Sequence, residues 1–429
     1  MFGATAAARR IPGIPGIHHQ GQAYKSLRLF TSSPRGTTYL SAEEWISQAC
    51  EHRSLFDKLV YPQTAVPGCN HQNPAHRVSS HPIFNFLHTY YRFSIPTLRL
   101  FSPGMGVRMQ SVTNAESFRA LHSRYMVCED DYWLYDPLKI GASTDANVAL
   151  RPKKIAKEVQ FLKRNLELLR ATASRPPYFG CFGMHEWAMV YQPVASLSLG
   201  LSLSESNQTV DAQATKLGIN TFGCHEQRKQ PHLRLRLSQC AVNAAVDCGP
   251  GRLRCSHFDA FRFFHPDAQR MNRNPTTGTG TGTNCSSSNS HWLSRSSQAD
   301  SEQPGCIHAN MDLFKYAYEL YPCVSSPTLL ACLKLALRAR VVDMRASPYD
   351  VSHIPECAGA LAVETAAGRM RYKSEQEAIY RESVPLREQL INDYTLALSH
   401  LVGPQLTNGT GTGTGTGTGS GNDCTRNSS

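Results

Sequence analysis

Pro152-Lys153-Lys154-Ile155-Ala156-Lys157-Glu158-Val159-Gln160-Phe161-Leu162-Lys163-Arg164-Asn165-Leu166-Glu167-Leu168-Leu169-Arg170-Ala171-Thr172-Ala173 is the stretch that decides how the rest of the chain is read. Ile155, Val159, Leu162, Leu166 and Leu169 recur at alternating four- and three-residue steps, the period of one helix face. Lys153, Lys154, Lys157, Lys163 and Arg164 fall on the other faces. Working outward, residues 41–60 open with Ser41 and Glu44 in capping-box spacing, and a helix follows. Residues 82–92 and 95–101 are aromatic and helical in character, with a break near Pro96. Further helices are expected from Ser326 to Met344 and from Val384 to Leu401. Strands are expected over 105–110, over 123–135 with a turn at Glu129-Asp130-Asp131, over 253–264, and in a hairpin over 361–372 turning at Gly368. The alternating strand–helix pattern of a doubly wound sheet is missing, so the expected class is helix-rich α+β.

One core domain is expected over 43–402, with disordered insertions and tails. Residues 1–42 hold Arg9, Arg10, Lys25, Arg28 and Arg35 and no acidic residue, the composition of a mitochondrial or plastid transit peptide. Setting those five aside lowers the net charge from +11 to +6, mildly basic and compatible with an anionic partner such as DNA. Polar insertions are read near 200–230 and over 275–300, where Thr-Gly repeats pass into a Ser/Asn-rich run. A Thr/Gly tail occupies 403–429. No apolar run of membrane-spanning length occurs. The cysteines follow no regular framework, and most are read as free thiols.

A Cys-x-His step recurs four times, at Cys50, Cys69, Cys255 and Cys306. Random placement of 14 Cys and 17 His would supply about 0.6 of them. The first step lies in an expected helix, where positions i and i+2 do not share a face, and is set aside. Cys255-Ser256-His257-Phe258-Asp259 and Cys306-Ile307-His308-Ala309-Asn310-Met311-Asp312 run nearly parallel. On a strand each would point Cys, His and Asp or Asn to one side. Cys255, His257, Cys306 and His308 form a candidate Cys₂His₂ zinc set, although one-residue spacing is unusual for it. The cysteines read better as buried apolar residues. His257, Asp259, His308, Asn310 and Asp312 read better as a site, since burying several titratable groups is costly unless they serve one another or a ligand. Gln303 adds an amide.

Pro176-Pro177-Tyr178-Phe179-Gly180-Cys181-Phe182-Gly183-Met184-His185-Glu186-Trp187 places a Gly-rich turn before a helix. His185 and Glu186 could work as an acid/base pair there, and Trp187 could stack on a planar ring. Position 189 is Met, so the pattern is not the His-Glu-x-x-His of metalloproteases. His71, His76, His81 and His88 cluster in a Pro-interrupted stretch that converges on nothing. Ser102-Pro103-Gly104-Met105-Gly106-Val107 reads as a turn before a strand, and Asp343 and Arg345 could pair, either as an internal salt bridge or in contact with a substrate.

The phrases around His81–Leu87, Cys181–Tyr191, Cys255–Phe264 and His308–Leu313 resemble a family of bacterial proteins that carry the label 3-methyladenine DNA glycosylase. The likeness covers most of residues 75–400. It implies hydrolysis of the N-glycosidic bond of alkylated purines in base excision repair, with DNA as partner and no cofactor. The catalytic carboxylate and hairpin of helix-hairpin-helix glycosylases have no counterpart in it. Such chemistry needs an aromatic slot, for which Tyr178, Trp187 and Phe261 are candidates. It also needs a carboxylate near the sugar, from Asp259, Glu186 or Asp312, with His185, His257, Gln303, His308 and Asn310 as further substrate contacts. A metal-dependent hydrolase using the Cys/His/Asp cluster with zinc, and a non-catalytic organellar nucleic-acid binder, are the alternatives.

Overall fold

The computed structural model describes residues 38–60, 82–105, 107–110, 126–129, 132–135, 152–193, 233–248, 253–273 and 293–402. The stretch 200–230, the tail over 403–429, His71, His76, His81 and residues 1–37 lie outside the described residues. Thr38–Leu40 form β1.

Twelve α-helices and four short strands are present among the described residues. The chain runs β1, α1 (Ala42–Val60), α2 (Pro82–Tyr91), α3 (Ile95–Leu98), β2 (Val107–Gln110), β3 (Met126–Glu129), β4 (Tyr132–Tyr135) and α4 (Pro152–Ala173). Then come α5 (Met184–Met189), α6 (Gln239–Cys248), α7 (Phe258–Phe261), α8 (Pro266–Met271), α9 (Gln298–Ser301), α10 (Ile307–Leu320), α11 (Ser326–Ala346) and α12 (Ala366–Val402). The helix-rich α+β class is thus what the chain adopts.

The capping box forms as the spacing requires. Glu44 N–H donates to Ser41 Oγ at 3.2 Å, and Ser41 N–H donates to Glu44 Oε2 at 2.8 Å. In α1 His52 is buried, with Nε2 2.7 Å from the Leu98 carbonyl. The strands order β1-β2-β4-β3, with β1 parallel to β2 and the other pairs antiparallel. Gly104, at φ +86°, makes the turn before β2, and its bare Cα lies against Ser325.

The core sits where α10 packs on α11 and α12, with α4 laid along α12. Leu162, Leu166 and Leu169 are the buried stripe of α4. Burying that stripe, rather than helix propensity, supplies most of the stability of such a helix.

Four expectations need correction. Residues 253–264 are not a strand, because the Asn272 side chain takes the place of a neighbouring strand. Its Oδ1 accepts from Cys255 N–H at 2.8 Å and its Nδ2 donates to Cys255 O at 3.0 Å. Residues 361–372 are not a hairpin. Thr365 caps α12 by accepting the Gly368 N–H at 3.0 Å, and a Cβ on Gly368 would fall 1.9 Å from the Ala362 carbonyl oxygen. The last helix starts at Ala366 and runs through Pro385 rather than starting near it. The tract read over 275–300 ends sooner, since Leu293 is buried and Gln298–Ser301 form α9.

Candidate functional site

Four segments converge on the interior face of α10. Cys306 is the N-cap of this helix, so His308 stands on its first turn and Asp312 one turn later on the same side. His257 caps α7 at the end of the segment that Asn272 holds extended. Phe182 and Gly183 turn the chain into α5 with φ of 48° and 68°. Gly183 is required there, because a Cβ would meet Ala346 at 3.1 Å and Tyr372 at 3.2 Å. The turn delivers His185 and Glu186, and α11 delivers Arg340 and Asp343.

Two imidazole–carboxylate pairs result. His257 Nε2 is 3.2 Å from Asp312 Oδ2, Tyr91 donates to Asp312 Oδ1 at 2.8 Å, and Glu302 Oε2 lies 3.7 Å from the same His257 nitrogen. His185 Nε2 is 2.6 Å from Asp343 Oδ1, and Arg340 bonds both Asp343 Oδ2 and, at 2.8 Å, Glu186 Oε1. His185 Nε2 and Asp343 Oδ1 are both buried, and neither has a bonding partner other than this close contact. His308 sits between the pairs. Its ring meets His185 edge-on at 4.3 Å and stacks on His257 at 5.2 Å.

Burial alone would lower the His257 pKa, but the hydrogen bond and charge of Asp312, with help from Glu302, outweigh it and hold the value above the ordinary one. Burial would raise Asp312, but His257, Lys315 and Tyr91 outweigh it and hold the carboxyl well below its usual range. Burial together with the neighbouring His185 and His257 pushes His308 well below the usual imidazole value. His308 is therefore neutral at physiological pH. Burial pushes Cys255 up to about 12, and burial plus neighbouring thiols raises Cys306, so both stay protonated and unreactive.

Two clefts open on this column, and His308 lines both. One is walled by Cys181, His185, Cys255, Gln303 and Cys306. The other presents Phe86, Tyr90, Phe263 and Tyr349 with Glu186 and Asp259.

His185, Glu186, His257, Asp259, His308 and Asp312 are thus brought together around one column. Asp259 is engaged on both oxygens by Arg295, at 3.0 Å on Oδ2, and Arg262 also reaches it at 3.2 Å. Trp187 has no exposure and donates Nε1–H to the Ala346 carbonyl at 2.9 Å, so it is core. Phe261 is also buried, against Phe264. Gln303 is a clamp: its Oε1 accepts from Tyr178 N–H at 2.8 Å and Gly305 N–H at 2.7 Å, and its Nε2 donates to the Tyr178 carbonyl. That fixes Tyr178 by its backbone, away from the aromatic cleft. Asn310 donates to the Pro304 carbonyl and accepts from Arg387 at 2.7 Å. Asp343 pairs with Arg340 and His185, not with Arg345, which reaches the Gly359 carbonyl.

The Cys₂His₂ set does not converge. Among the described residues, the metal-ligating atoms that lie within 4.8 Å of one another are those of His185, His308 and Asp343. Cys50, Cys181, Cys240, Cys255, Cys306, Cys323, Cys332 and Cys357 are free thiols.

Sequence reasoning missed Arg340 and the aromatic wall of α2, and it gave Asp343 the wrong partner. One signal was available: Leu333, Ala336, Arg340 and Asp343 share one helix face, and a stripe that starts apolar ends in a guanidinium and a carboxylate. Comparison with protein-family models, with curated proteins and with solved structures finds no match for this chain.

Proposed function

We propose that the protein is a hydrolase that takes a flat ring into the aromatic cleft beside His308, and that the bond it breaks is the N-glycosidic bond of an alkylated purine in DNA. The carrying observation is the position of His308, a neutral imidazole between two buried imidazole–carboxylate pairs and on the wall of that cleft. An alkylated purine is cationic and gains cation–π energy on an aromatic face such as that of Tyr90, while Phe86 and Phe263, which carry Arg340 at 3.8 Å and Arg262 at 4.3 Å, wall the slot. Breaking the C1′–N bond leaves the electron pair on the base and cancels its positive charge. Water oxygen bonds to C1′, and the water proton passes to His308. Glu186 faces the developing oxocarbenium better than Asp259 does, because Arg295 occupies both Asp259 oxygens. The resemblance to the glycosylase-labelled proteins and the net charge of +6 outside residues 1–42 support DNA as the carrier of the base. No helix among the described residues is long and apolar enough to cross a membrane.

Calorimetric titration with free 3-methyladenine tests the slot. The unaltered protein should bind it, and Tyr90→Ala should weaken binding about tenfold, as expected for one lost stacking partner worth about 1–3 kcal/mol. Absence of binding to the unaltered protein would remove the reading. A metal-dependent hydrolase is a second reading, favoured by the convergence of His185, His308 and Asp343.

A further inference from the structure

We infer that His185, His308 and Asp343 form a binding site for one divalent transition-metal ion, on the zinc and iron side of the series. Two histidines and one carboxylate are a donor set that suits such ions and leaves coordination positions open for water. The donor atoms lie within 4.8 Å of one another, a spread that a single ion can bridge.

The His185–Asp343 contact is the second, independent observation. Its atoms approach to 2.6 Å, no other group bonds either of them, and both are shut off from solvent. A nitrogen and an oxygen that face only each other in the interior need to part by about half an ångström to take one ion between them, at bonds of about 2.0–2.1 Å. The other Asp343 oxygen is held by Arg340, which itself packs 3.8 Å over the Phe86 ring and bonds Glu186. That is the outer support that orients a ligating carboxylate.

The local charge agrees. Glu186 and Asp343 bring two negative charges and Arg340 returns one, so the buried group carries a net −1 that a cation offsets. His308 lines both clefts, so an ion held there would lie beside the space where a substrate enters.

The site differs from the Cys₂His₂ set expected from sequence, because Cys255 and Cys306 take no part in it. It stands whether or not the substrate is a nucleobase. With the ion bound, His308 holds the metal, and the water proton of the proposed reaction is lost to solvent on coordination.

Elemental analysis of the purified full-length protein, followed by chelator stripping and titration with Zn²⁺ and Co²⁺, tests this. One equivalent of zinc or iron is expected in the isolated protein, or uptake of one Zn²⁺ by the stripped form with a rise in melting temperature. Cobalt should give the visible absorption of a nitrogen/oxygen site with no thiolate charge-transfer band. His308→Ala strands no buried charge and should fold and lose the ion, whereas Asp343→Asn deprives the buried Arg340 of a partner and could unfold for other reasons. Three results would overturn the inference: neither metal nor zinc-dependent stabilisation in the unaltered protein, a thiolate band, or full occupancy in His308→Ala. These readouts need no substrate, so failure of the hydrolase reading leaves them interpretable.

Discussion

The imidazole of His257 and the carboxylate of Asp312, 55 residues apart in the chain, meet at 3.2 Å in the interior, and Tyr91 secures the other carboxylate oxygen. Neither residue is accessible to solvent to any useful extent. The pair binds the α7 segment to α10 and forms one wall of the histidine column.

Removing one member leaves the other buried and uncompensated. Asp312→Asn should lower the unfolding free energy by about 3–5 kcal/mol. The raised pKa of His257 stabilises the fold fully below its unfolded value near 6.5, and this is lost as pH rises through the folded value. The lowered pKa of Asp312 stabilises above about 3.8 and is lost as pH falls toward the folded value. The gap between the unaltered protein and the variant should be widest between about pH 4 and 6.5 and should narrow on the alkaline side. Urea unfolding across pH would reveal this, and a gap constant from pH 5 to 9 would contradict it.

Asp393 gives the opposite sign. Burial lifts its carboxyl to about 7, only partly offset by the Gln389 amide, and Oδ2 has no partner. A raised folded pKa means that ionisation costs stability as pH climbs from about 4 to about 7. Each pH unit in that interval costs about 1.4 kcal/mol, so the full penalty is of the order of 2–4 kcal/mol. Asp393→Asn should therefore raise the melting temperature at pH 8 and leave it nearly unchanged at pH 4. Equal effects at both would contradict the assignment.

Replacing residues 276–290 with a short Gly-Ser linker should leave stability nearly unchanged, since loop closure rises by only about 0.6 kcal/mol per doubling of length. Carrying the replacement through 298 should destabilise, because it removes buried Leu293, the Arg295 contacts to Asp259 and the Gln298 bond to Glu302 at 2.9 Å. Arg295→Ala alone should cost only about 1 kcal/mol, given its exposed guanidinium. Thermal melts of the two replacements and the point variant would separate these outcomes.

Legibility in the sequence followed solvent exposure. The helix over 152–173 has a wet face and a dry one, so its period is visible. The helix over Ile307–Leu320 is buried nearly all round, shows no period, and was read only as a phrase. The segment 253–264 imitates a strand because one Asn272 side chain supplies the bonds a strand would give. The Cys-x-His phrases located the site, but through their histidines and aspartates rather than through a shared strand face. The partners of Arg340 and Asp343 stayed hidden because Glu186 and His185 lie on a helix more than 150 residues away.

The account's central claim is that chemistry occurs in the aromatic cleft at His308. Its most direct test is chromatography of the bases released from methylated DNA by the unaltered protein and by His308→Ala under single-turnover conditions. Release of 3-methyladenine by the first, slowed at least about a hundredfold in the second while both melt cooperatively, is the predicted result. No release by the unaltered protein, or equal release by both, would contradict it.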